Sequence, residues 1–154
     1  MYTSDIVLTG ERYRTILRDL SLNQFQSLET FIAEFKEFVE EAYSDAFVHK
    51  MQTICRFLID IQAYDYLIQI LSMSEIIGTF ESVANEGEES VITYATRKIE
   101  DETILVAVIR AIGTQIFVPY FFEFPAPSIV AVDLEKYAAL KALFEQGICI
   151  ENIG

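Results

Sequence analysis

Glu37, Glu41, Asp45 and His49 recur every four residues. On one unbroken helix this spacing stacks three carboxylates and an imidazole along one slowly drifting line, a donor set that suits a divalent cation. Ser44-Asp45 has the composition of a helix cap, however, so the helix is expected to break inside the motif. The acids then read as a solvated helix face, and no metal site is expected. His49 is the only histidine, which excludes a site built on two imidazoles from one chain.

A thiol–imidazole pair is the second arrangement with chemical content. His49 and Cys55 stand six residues apart, about 120° around a helix, so they point in different directions. Cys149 lies at the far end of the chain. Both cysteines read as buried thiols in a reducing compartment, which points to the cytoplasm. The glycines are scattered and form no phosphate-cradling loop, so no nucleotide or other cofactor is expected.

Arg110 is the sharpest single residue. It interrupts Thr103 to Ile112, a run that is otherwise almost wholly apolar, and a buried arginine needs a partner. It reads as a structural ion pair or as a contact to an anionic ligand. Tyr64, Tyr66 and Arg56 are the further polar handles of a ligand pocket. Phe117, Tyr120 and Phe122 sit in an aromatic run beside Pro119, which serves either as core or as a surface for a partner. Glu37, Glu40 and Glu41 are the candidate acidic rim of such a surface.

The elements that must position these residues read as α+β. Helices are expected over about Glu11 to Leu20, from Phe25 to Ala42, over about Ala46 to Leu71, and over about Ser74 to Asn85. In the second, Phe25, Leu28, Ile32, Phe35 and Val39 form one stripe. From Val91 the period changes. Ser90 to Ile99, Thr103 to Ile112, Gln115 to Phe124 and Ser128 to Val132 are rich in β-branched and aromatic residues and read as strands. A last helix is expected from Asp133 to Gln146, with Tyr137, Leu140, Leu143 and Phe144 inward. The expected fold is a helical part over about 5–86, packed on a mainly antiparallel sheet with a final helix over about 88–153. No internal repeat is evident. Thr103 to Phe122 imitates a membrane span, but Gly113 and Pro119 divide it, and two buried strands explain it better.

The chain has 154 residues, 24 acidic against 11 basic side chains, and a net charge of −13. That length suits one domain, and the charge argues against binding nucleic acid through a basic face. The sequence therefore points to a non-enzymatic cytoplasmic protein-interaction or regulatory module, self-associating as a homodimer or binding another protein. Two other functions fit as well: a small-molecule sensor with a pocket between helices and sheet, and an acidic inhibitor or immunity-type protein that neutralises a basic partner.

Overall fold

A computed structural model describes residues 7–37, 44–73, 90–112 and 127–146. These residues form eight helices and no strand. The helices are α1 (Gly10–Ser21), α2 (Gln26–Lys36), α3 (Asp45–Asp60), α4 (Tyr64–Leu71), α5 (Val91–Lys98), α6 (Glu102–Ile112), α7 (Pro127–Asp133) and α8 (Tyr137–Glu145). The α+β expectation is thus overturned: the stretches Ser90 to Ile99, Thr103 to Ile112 and Ser128 to Val132 are helical. The third expected helix is also divided, at Ile61–Ala63, into α3 and α4.

Local chemistry explains the helical outcome. Ser90 caps α5, its hydroxyl accepting the Thr93 amide at 3.3 Å. Arg97 and Lys98 sit in its last turn, where cations favour the carbonyl end. Asp101 caps α6 by accepting the Thr103 amide at 2.9 Å. In α6, Leu105, Val108, Ile109 and Ile112 are buried at steps of three, one and three, which is helical spacing. Pro127 opens α7, where a missing amide costs nothing.

The helices pair into four hairpins, α1–α2, α3–α4, α5–α6 and α7–α8. Three of the four turns share one device. Asn23 (φ 59°), Gln62 (φ 62°) and Glu135 (φ 57°) each adopt the left-handed conformation one residue past the helix cap. The amides of Gln24, Ala63 and Lys136 then return to the carbonyls of Asp19, Leu58 and Ala131, at 2.8, 2.9 and 2.8 Å. These are Schellman closures built without glycine. Each has the same local pattern of apolar residue, left-handed polar residue, any residue, aromatic residue: Leu22 to Phe25, Ile61 to Tyr64, Leu134 to Tyr137. Asn23 and Gln62 are 39 positions apart, and Glu135 follows 73 later. The turn of the third hairpin, Ile99 to Asp101, falls midway in that longer interval.

Hairpin stacks on hairpin. The first helices form one layer in the order α1, α3, α5, α7, and in the second layer α4 packs on α6 and α6 on α8. The core fills the space between layers and includes Ile16, Leu28, Phe31, Ile54, Leu58, Leu67, Ile92, Leu105, Ile109 and Leu143. This is the arrangement of an α-solenoid, in which each repeat contacts only its neighbours. The spacing falls in the range of two-helix repeats, about 34–47 residues. The repeat is structural: beyond the three turns, the hairpins share little sequence.

Lys136 ties the fourth hairpin to the third. Its ammonium is buried and donates to the carbonyls of Thr96 at 2.6 Å and Ile99 at 2.9 Å, closing the end of α5. Burial pushes this ammonium below the ordinary lysine value, against the opposite pull of Glu100 and Glu102. Among the described residues no helix is long and apolar enough to cross a membrane.

Candidate functional site

The second-helix layer carries an aromatic recess at the junction of the first three hairpins. Phe25 precedes α2 and stacks on Tyr66 of α4, with ring centroids 4.9 Å apart. Tyr64 and Ile68 of α4, and Thr103, Ile104 and Ala107 of α6, complete a recess of about 470 Å³. Its walls therefore belong to successive repeats, so its shape depends on how the hairpins stack. The turn residue Gln62 and the exposed Asp65 stand at its mouth.

Tyr66 also borders a second recess of about 290 Å³. There it meets Glu29, Ile32, Ala33, Lys36, Glu37 and Gln69. The Tyr66 hydroxyl donates to a Glu29 carboxylate oxygen, which raises the phenol's pKa and holds the ring as a fixed ridge between the two recesses. Burial raises the Tyr64 phenol as well, and the charges of Asp101 and Glu100 add to it. These carboxylates make the surroundings electronegative. Among the described residues no lysine or arginine lines the aromatic recess, and Lys36 is the one cation bordering the second.

The residues singled out in the sequence are placed as follows. Tyr64 and Tyr66 meet at the aromatic recess, and Glu37 borders the second recess as an exposed residue at the end of α2. Arg110 is not in a strand and is not buried. It lies on the exposed side of α6, and its guanidinium stands 3.5 Å from Glu145 of α8. Such exposed pairs contribute little stability. Arg56 belongs to α3, in the other layer. With no sheet among the described residues, the expected pocket between helices and sheet is replaced by recesses between helices of one layer. Phe117, Tyr120, Phe122, Glu40, Glu41 and Cys149 lie outside the described residues, as does the expected helix over Ser74 to Asn85.

Of the spaced set, Glu37, Asp45 and His49 do not share one helix, and Glu41 lies outside the described residues. Ser44 caps α3, its hydroxyl accepting the Phe47 amide at 3.1 Å, so Asp45 and His49 begin a new helix while Glu37 ends another. The described residues contain no group of His, Cys, Asp and Glu placed to hold a metal ion. Cys55 is a free thiol, and burial pushes it up to about 12.

The sequence pattern does not mark Phe25, Ile68, Thr103, Ile104 and Ala107 as site residues: Phe25 falls in the apolar stripe of its expected helix, and the residues of α6 in an expected strand. A signal was present in the turns: Phe25, Tyr64 and Tyr137 each stand two residues after the left-handed position. Compared with known protein families, curated proteins and solved structures, the chain finds no match.

Proposed function

We propose that the protein is a non-enzymatic interaction module that binds a segment of another protein on its second-helix face. The observation that carries this reading is the position of Tyr66, a fixed aromatic ridge between an apolar recess and an acidic one. A partner segment with an apolar side chain next to a lysine or arginine satisfies both. The apolar group enters between Phe25, Tyr64, Ile68 and Ile104. The cation meets Glu29, Glu37 and Asp65, and gains from the tyrosine faces. The net charge of −13 attracts such a segment from a distance. Stacked helix hairpins suit this task because they present one continuous surface. Cytoplasmic location belongs to the same reading, with the buried reduced thiol of Cys55 in its favour.

The test is selection from a random-peptide display library on the wild-type chain, with a counter-screen on a Tyr64→Ala/Tyr66→Ala variant whose helicity is verified by circular dichroism. The expected result is enrichment of peptides that pair an apolar residue with lysine or arginine. Their affinity should fall with salt and drop at least roughly tenfold on the variant. Failure to enrich any motif, or a motif that binds the variant equally well, overturns the proposal.

A further inference from the structure

The two recesses around Tyr66 lie in successive grooves of the second-helix layer. Tyr64 and Ile68 of α4 border the first together with Ile104 and Ala107 of α6. Tyr66 and Gln69 of α4 border the second together with Ile32 and Glu37 on the α2 side. The body of α4 therefore separates them. A segment lying along one groove reaches one recess only. A segment that fills both must cross α4 and run along the stack, from hairpin to hairpin.

Crossing fixes the spacing of its anchors. Packed helices stand about 8–10 Å apart, and that distance separates one groove from the next. A β-strand returns a side chain to the same face every second residue, at roughly 7 or 13 Å, which is too short or too long. A polyproline-type segment rises about 3.1 Å per residue and repeats every three, so its anchors stand about 9 Å apart. An α-helix matches the distance only with anchors seven residues apart, at about 10.5 Å. The third and fourth residues between them, on the same face, would then meet the Tyr66 ring, which its bond to Glu29 holds in place. In a polyproline-type segment the two residues between the anchors turn away from the surface, and only backbone passes over the ring.

Tyr64 supplies an independent reason. It is half-buried at the aromatic recess, and among the described residues its hydroxyl has no hydrogen-bond partner. Burial and the charges of Asp101 and Glu100 oppose its ionisation, so it stays a donor. The backbone carbonyls of a polyproline-type segment are unpaired and can accept such a bond, whereas those inside a helix are already used.

We propose that the partner is an extended segment of polyproline type that crosses α4 along the stack. Its apolar anchor and its lysine or arginine stand three residues apart, and one of its carbonyls accepts from Tyr64. This rests on the peptide-binding reading and adds conformation and register to it. Segments of this kind dock on aromatic-lined surfaces, and their backbone is largely ordered before binding.

The experiment is fluorescence anisotropy of the full chain with labelled ten-residue peptides that each carry one leucine and one arginine. One series holds the two residues two, three or four positions apart in a proline-rich background. A further peptide holds them seven apart in an alanine-rich, helical background. The three-residue spacing, Leu-Pro-Pro-Arg, is expected to bind at least roughly fivefold more tightly than every other. Tyr64→Phe keeps the ring and removes the donor, and it should weaken that peptide by roughly threefold or more, with circular dichroism unchanged. Binding that the Tyr64→Ala/Tyr66→Ala variant abolishes but that ignores the spacing, or that favours the helical peptide, would overturn this inference and leave the recognition surface standing. Tyr64→Phe binding as tightly as wild type would overturn the backbone contact and with it the choice of an extended segment. Failure of every peptide to bind would overturn the inference together with the peptide-binding reading.

Discussion

The Tyr94 phenol donates to a carboxylate oxygen of Asp60, so a residue of the third hairpin is joined to the second. Arg97 and Lys98 lie over its ring, at 5.5 and 5.8 Å from the centroid. Burial, and then the hydrogen bond to Asp60, pushes the phenol from its ordinary 10.0 up to about 12. The folded chain therefore holds this proton longer than the unfolded chain does. The associated stabilisation is complete below pH 10 and is lost as pH rises toward 12. A Tyr94→Phe variant should lack the last-ionising phenol in an ultraviolet titration, and its stability should fall less steeply across that window. A wild type whose tyrosines all ionise together near their ordinary value would contradict this environment. Individual residues were only partly legible in the sequence. Tyr64 and Tyr66 could be named because tyrosines crowded on an apolar helix must put their hydroxyls somewhere. Arg110 misled: in a strand it would be buried, whereas on a helix it shares the exposed stripe of Thr103 and Ala107.

Helix ends decide the elements here, and they are where sequence reasoning failed. Ser44 was legible as a cap because hydroxyl and carboxylate residues precede an apolar periodic run. The breaks at Gln62 and Glu135 were not legible, because no glycine or proline marks them. A non-glycine residue takes the left-handed position at a cost of about 1 kcal/mol, and the two returning hydrogen bonds offset it. The third hairpin was misread for a different reason. It packs between the second and fourth, with Val91, Ile92, Ala95, Leu105 and Ile109 buried, and its run from Thr103 to Ile112 is almost wholly apolar. Its β-branched residues then suggested strands. Lys136 gives the sharpest check at this scale. Lys136→Met removes the donor from two carbonyls at the end of α5 and should cost about 2 kcal/mol by urea unfolding, with an unchanged denaturant slope. A loss below about 0.5 kcal/mol would mean that water replaces the ammonium and that the tie between hairpins is dispensable.

At the scale of the molecule, the described residues form four hairpins with little common sequence that stack into one repeat architecture. The apolar stripes were visible along the chain, but the order of stacking was not, because it depends on the three turn conformations and on contacts between distant helices. That order places Phe25, Tyr66 and Ile104, from three different hairpins, around one recess. The same order leaves Val132, Tyr137 and Phe144 exposed on α7 and α8 and sets a polar groove between α1 and α2. The proposed recognition surface is the second-helix face that this order builds. The most direct test of the recognition surface is an amide NMR titration of the isotope-labelled chain with a peptide recovered from the display selection. The largest shifts should fall on Phe25, on Gln62 to Ile68 and on Thr103 to Ala107, with the Thr9 to Thr15 groove unmoved. Shifts confined to the last hairpin or to the polar end would contradict the account.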